Sequence, residues 1–181
     1  MADTATSFGI GDLIPSFTLT DTEGAEHTVP AADAPPATVL VQTCNHCPYV
    51  IAWNPRLRAV AEEYGPRGVR FLAIGSNDPE RYPADSPERM AQFVRDQGWP
   101  IPYAHDASQD VARALGAERT PELFVLDGEQ RLAYHGAPDS DHEDPSQDAA
   151  WLRAALDAIL EGREVERAET PPRGCSVKWK A

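Results

Sequence analysis

Cys44 and Cys47 are the residues of this chain whose type and spacing can do chemistry. In the run Cys44-Asn45-His46-Cys47 two thiols stand three positions apart. That spacing lets them close a disulfide with each other or share a metal ion. Only the thiolate of such a pair is nucleophilic, and a helix start or a neighbouring imidazole stabilises it. Asn45 and His46 fill the two intervening positions, so His46 is a candidate donor to the Cys44 thiolate. Stabilising the reduced form in this way makes the disulfide a stronger oxidant.

The elements around the pair decide which thiol does what. Thr38-Val39-Leu40-Val41 reads as a buried parallel strand ahead of the motif. Trp53, Leu57, Val60, Ala61 and Tyr64 recur at helical spacing behind it, with Gly65-Pro66 as a stop and Pro55 expected to kink or restart the helix. The motif therefore falls at a strand-to-helix junction, where unpaired N–H groups and the helix dipole favour a thiolate. Cys44 is expected at the helix mouth as the exposed attacking thiol with a depressed pKa. Cys47, one turn in, is expected to be the shielded thiol that closes the disulfide.

A single C-x-x-C is also half a zinc site. Here no second C-x-x-C and no H-x-x-x-H accompanies it. Cys175 and the scattered His27, His105, His135 and His142 are the only other candidate ligands apart from carboxylates. The reading is therefore no metal and no organic cofactor. A copper- or zinc-binding module using Cys44, Cys47 and a His is the alternative from another class.

The rest of the chain alternates strands and helices. Phe17 to Thr20 and Glu26 to Val29 read as hairpin arms around Asp21-Thr22-Glu23-Gly24. Val69 to Gly75 is the next buried strand, and Asn77 to Pro87 a polar loop. Ser86-Pro87-Glu88 opens a helix that Gly98 ends. Ile101 to His105 is a short strand, and Ser108 to Gly116 a short helix. Leu123 to Leu126 and Leu132 to His135 form a hairpin about Asp127-Gly128. Pro138 to Gln147 reads as a flexible acidic loop, and Asp139 to Asp148 as solvated surface. An amphipathic helix from about Ser146 to Gly162 follows. This pattern implies an α/β fold, a mixed sheet with helices on both faces. Residues 1–162 make the domain, and 163–181 a tail whose Cys175, Val177 and Trp179 alternate with Ser176 and Lys178 as a docked strand would.

Composition excludes several functions. The 181 residues carry a formal net charge of −13. That field repels nucleic-acid phosphates and anionic lipid, so neither is an expected partner. No run approaches the ~18 apolar residues of a membrane span. Met1 to Gly11 has no basic stretch followed by an apolar one, which points away from a secretory leader and towards the cytoplasm. Three cysteines do not make a disulfide-stapled scaffold.

The chain resembles the thioredoxin superfamily, and more closely its peroxiredoxin-like branch of the alkyl-hydroperoxide-reductase and thiol-specific-antioxidant type. Four pieces carry the resemblance: Gly11 to Thr20 at the start, Cys44-Asn45-His46-Cys47-Pro48-Tyr49, Thr120-Pro121 just before a strand, and Gly174 to Lys180 at the end. The resemblance implies a thioredoxin-like fold with an N-terminal β-hairpin extension, a cis Thr120–Pro121 bond beside Cys44, and a Thr120 backbone open to an incoming peptide strand. It also implies a thiol–disulfide oxidoreductase acting on protein or small-molecule disulfides and thiols. Cys175 is a candidate third redox thiol. Cys47-Pro48 is similar to the peroxidatic Cys-Pro of peroxiredoxins, so a thiol peroxidase with Cys47 as the peroxidatic thiol, and peroxide as its substrate, is the nearer alternative. The departures are specific. Thr43 stands where thioredoxins have Trp, Thr38 to Gln42 holds no acid, Cys44 replaces the peroxiredoxin Thr, and the peroxiredoxin Arg has no counterpart.

Overall fold

Alternation along three strands builds two cores at once. The computed structural model describes residues 8–181; residues 1–7, within the stretch read for a leader, lie outside the described residues. In β3 (Thr38–Thr43), β4 (Arg70–Gly75) and β7 (Glu122–Leu126) successive side chains face opposite sides, and in β8 (Leu132–Gly136) an irregularity in its pairing with β7 sends Leu132 and Tyr134 to different cores. Val39, Val41, Phe71, Ala73, Leu123, Val125 and Tyr134 meet one core. Leu40, Leu72, Ile74, Phe124, Leu126 and Leu132 meet the other. Both faces being covered explains why these strands read as continuous apolar runs.

The sheet has the order β5-β4-β3-β7-β8, with β5 spanning Tyr103–His105. β3, β4 and β5 run parallel, while β7 is antiparallel to β3 and β8 to β7. The sheet is thus mixed, as in a thioredoxin-like fold. β1 (Phe17–Thr20) and β2 (Glu26–Val29) pair as a separate N-terminal hairpin. Helices α1 (Pro48–Tyr64) and α4 (Ala150–Leu160), with Met90 of α2 (Pro87–Gln97), cover the first core. Helix α3 (Asp110–Leu115) covers the second, with Trp179 of the tail against it. Among the described residues no helix is long and apolar enough to cross a membrane.

Two local readings change. Pro55 neither ends nor restarts α1, which runs through it. The carbonyl that loses its partner there belongs to Ile51, four residues back, and Ile51 is on the solvent side. The acidic loop is not simply solvated. Asp139 is fully buried and accepts from Trp53 Nε1 at 2.8 Å, from Arg56 Nη1 through both oxygens, and from the Ala149 N–H. Arg56 also donates to the carbonyls of Asp141, His142 and Asp144. These contacts hold residues 139–149 as a built loop, so α4 starts at Ala150 rather than near Ser146.

The tail lies on the domain. The N–H of His135 donates to Ala168 O and that of Thr170 to His135 O, alongside β8. Further on, β9 (Cys175–Ser176) pairs antiparallel with β6 (Arg119–Thr120), matching Thr120 to Cys175 and Arg119 to Ser176. Val177 is buried and Trp179 half-buried under Arg113, whose guanidinium is 4.8 Å from the ring.

The Arg56–Asp139 pair generates the first prediction. Arg56→Ala leaves a fully buried carboxylate without its counter-charge, and should lower unfolding stability by about 3–5 kcal/mol. Denaturant unfolding monitored by tryptophan fluorescence checks this; a loss under about 1 kcal/mol would show that the loop is solvated after all.

Candidate active site

The C-terminal end of β3 delivers Cys44, and the N-cap of α1 is Cys47. Pro48 takes the first helical position, where its missing N–H removes a donor that would have no intrahelical partner. Both thiols are buried: Cys44 is 3% exposed and Cys47 0%. The expectation of an exposed Cys44 is therefore corrected. The cause is a set of neighbours from distant parts of the chain, reaching over the motif from the 77–86 loop, β6 and the tail.

Three sulfurs meet here. Cys47 Sγ lies 2.7 Å from Cys175 Sγ, and Cys44 is close enough to Cys47 for the two thiols to titrate as a coupled pair. Thr120 faces both members of the motif, its Oγ1 at 3.4 Å from Cys44 Sγ and its carbonyl oxygen at 3.3 Å from Cys47 Sγ. The Thr120–Pro121 peptide is cis.

The pair shares one charge. The Cys44 thiol donating to it is the largest cause that brings Cys47 down to about 4, against the opposing effect of burial; Cys175 and the N–H groups of Val50 and Cys175 add to the lowering. The same hydrogen bond, then burial, pushes Cys44 up, and the Asp85 carboxylate pushes it further. The depressed pKa expected at Cys44 thus sits on Cys47, at the N-cap itself, where the helix start acts most directly.

His46 does not serve Cys44 as a donor. Its Nδ1 lies 2.5 Å from Asp85 Oδ2, and its ring stacks on Tyr82 with an interplanar angle of 3°. Asp85, 4% exposed at the end of a 3-10 turn, also accepts from the Asn45 N–H at 2.7 Å and from Asn77 Nδ2 at 2.9 Å. Asn45 is a clamp: its Nδ2 donates to Ala84 O and its Oδ1 accepts from Tyr103 OH at 3.0 Å. Burial above all, with the Asp85 carboxylate, holds the Tyr103 phenol well above its ordinary range, so it stays a donor.

Asp85, Tyr82 and Tyr103 were not singled out by sequence reasoning. Asp85 lies in a polar loop 38 residues beyond Cys47 with no motif around it. Its one local signal is its place directly before the capped start of α2, where Ser86 Oγ accepts from the Arg89 N–H. The acid absent from β3 is not supplied within that strand either. Buried Gln42 donates to Ser76 Oγ, which donates to Asp106 Oδ2.

For metal, Cys44 Sγ, a His46 nitrogen and an Asp85 oxygen lie within 4.8 Å of one another, the one such group among the described residues. Cys47 is not part of it, and its His and Asp already bind each other. The other histidines are dispersed: His135 pairs with Glu122 at 2.7 Å, His27 with Asp21 at 2.7 Å, and His142 stacks on Tyr49.

The Thr120 edge is not open. Its pairing partner is Cys175 of the chain's own tail, which takes the place expected for a substrate strand.

The shared charge is measurable. Because the Cys47 pKa is lowered, the thiolate persists above about pH 4 and is lost as the pH falls through that value. The reduced protein should show about one thiolate per chain by ultraviolet absorbance, titrating near pH 4, and Cys44→Ala should move the midpoint upward. A thiolate that appears only near pH 9 would contradict this electrostatic picture.

Among known proteins, the AhpC/TSA family model matches residues 10–135. The crystal structure of an uncharacterized conserved protein from Geobacillus kaustophilus superposes with a TM-score of 0.91 at 39% identity, over 97% of this chain and 94% of that one. A hypothetical protein from Sinorhizobium meliloti gives 0.90 at 37% identity, over 97% of each chain. Peroxidoxin BcpB from Mycobacterium tuberculosis shares the fold, with a TM-score of 0.59 at 18% identity, over 84% of this chain and 94% of that one. No match is found among curated proteins.

Proposed function

The chain belongs to the AhpC/TSA family, and from that premise we propose that it is a thiol–disulfide oxidoreductase working through Cys44 and Cys47. Membership makes its chemistry that of a thiol-based oxidoreductase or peroxidase in general. The observation that carries the narrower reading is that the two thiols stand together at the start of α1, close enough to titrate as one coupled pair. Two sulfurs in that contact are placed to close a disulfide between them.

The roles follow from enclosure. Cys47 has no exposed surface, and Cys44, Cys175 and Thr120 lie against it. Of the two motif thiols, Cys44 is therefore the one a substrate sulfur arriving from outside meets first. In the proposed cycle the Cys44 proton passes to Cys47, and the Cys44 thiolate attacks the substrate disulfide. The substrate S–S bond breaks, a Cys44–substrate disulfide forms, and one substrate sulfur leaves as a thiolate. That thiolate takes the Cys47 proton. Cys47 then attacks Cys44 Sγ, closes the Cys44–Cys47 disulfide and releases the second substrate sulfur. Protein or small-molecule disulfides are the substrate class. Thr120 Oγ1 orients Cys44, Asn45 fixes the loop, and His46 is a positioning residue through Asp85. A substrate strand at Thr120 would have to displace the tail.

One observation favours a second reading. The thiolate resides on Cys47, the residue followed by Pro48, and peroxide is small enough to seek a buried sulfur. Single variants separate the two. Under exchange, Cys44→Ala and Cys47→Ala should each lower reduction of a protein disulfide roughly 10³-fold or more, as loss of a covalent nucleophile does. Peroxide consumption that survives in Cys44→Ala and vanishes in Cys47→Ala would replace exchange by the peroxidase reading.

A further inference from the structure

We propose that Cys175 is a working redox thiol that attacks the Cys44–Cys47 disulfide at Cys47, with the segment from Gly174 to Ser176 bound along Thr120 as an internal substrate strand. The proposal deepens the exchange reading and rests on it, because its first partner is the Cys44–Cys47 disulfide.

Geometry carries the inference. Cys47 adjoins both other sulfurs, with Cys175 Sγ at 2.7 Å and Cys44 near enough to share its titration. Thiol–disulfide exchange needs an attacking, a central and a leaving sulfur. The strand that brings Cys175 there is held along its length. Thr120 pairs with Cys175, and the Val177 N–H donates to Glu118 O at 2.9 Å. Lys178 is bonded through both its backbone groups, its N–H to Asn77 Oδ1 and its carbonyl to the Asp78 N–H and to Gln109 Nε2. The Lys180 N–H donates to Gln109 Oε1.

Gly174 shows how closely the strand is seated. A Cβ built there would stand 2.0 Å from Thr120 O and 2.6 Å from Thr120 C, both backbone atoms that cannot swing away. Only glycine lets the tail lie against the residue that also faces Cys44 and Cys47. An added strand on an open edge is a standard mode of peptide recognition, and here the chain supplies its own.

In the step, the Cys175 thiol loses its proton and attacks Cys47 Sγ. The Cys47–Cys175 bond forms, the Cys44–Cys47 bond breaks, and Cys44 leaves as a thiolate that takes up a proton. One disulfide and one thiol go in, and one of each come out, so no further oxidant is consumed. Charge sets the direction. In the reduced site, burial and the bonded, negatively charged Cys47 hold Cys175 up at about 11, against Lys178 and Arg119. Once Cys47 is in a disulfide its charge is gone, while Lys178 and Arg119 remain. Cys175 is therefore readied as a nucleophile only when there is a disulfide for it to attack.

The test is peptide mapping of alkylated, non-reduced protein after oxidation with one equivalent of diamide, on wild type, Cys44→Ser, Cys175→Ser and Gly174→Val. A Cys47–Cys175 disulfide is expected in part of the wild type and in most of Cys44→Ser. Gly174→Val should lose it at least tenfold while still forming Cys44–Cys47, which shows that the variant is folded around its motif. Cys175→Ser should form Cys44–Cys47 alone. A wild type holding only Cys44–Cys47, with Cys175 fully alkylated and no intramolecular bond in Cys44→Ser, would overturn the proposal. Absence of Cys44–Cys47 from both Cys175→Ser and Gly174→Val would instead sink the exchange reading on which it rests.

Discussion

A negative charge on Cys47, at a place with no solvent exposure, is what the surrounding structure must accommodate. Burying a charge without partners is strongly unfavourable. Here two other thiols, the Thr120 carbonyl and the start of a helix surround it, and among the described residues no basic side chain is bonded to Cys47. Each has a structural requirement. Cys44 must stay at the end of β3, α1 must start at Cys47, and the tail must return to Thr120. The Asp85 network meets the first by tying Asn45 and His46 to the 77–86 loop. The β6–β9 pairing meets the last.

The same contacts link stability to redox state. A disulfide between Cys44 and Cys47 removes the charge that Cys175 meets, while the β6–β9 pairing still holds Cys175 in place. Reduction restores the charge. Because Cys47 is in contact with both other sulfurs, the three cannot be altered independently, and single substitutions should show coupled effects. The His46 ring stacks on Tyr82, and Lys178 Nζ lies 5.7 Å from the centre of the Tyr82 ring, which ties the tail to the motif by a second route.

Much of this was legible in the sequence. The C-x-x-C pair, the strand ahead of it and the helical spacing behind it place the site, since each is a local pattern with a local physical meaning. The alternation of Cys175, Val177 and Trp179 marks a strand-like tail, and Val177 is its most buried member. What was not legible depends on contacts across long separations. Asp85 is one acid among 29, and nothing beside it says that it is buried under Asn45 and His46. Asp139 is hidden in the same way, because a run of acids looks solvated whether or not one of them meets Arg56. The low pKa expected at Cys44 belongs instead to a coupled pair of thiols, for a related reason. That expectation weighs the neighbours in sequence, whereas Cys175, 128 residues away, helps to place the charge on Cys47.

The central claim is that Cys44 and Cys47 form an exchangeable couple whose reduced form is stabilised by a shared charge. Its most direct measurement is equilibration against a series of glutathione redox buffers, with free thiols counted by alkylation and intact mass. The account predicts that two thiols disappear together in a single two-electron transition, at a potential above the roughly −270 mV of thioredoxin. A thiol count that stays constant across the series, or a couple more reducing than that value, would contradict it.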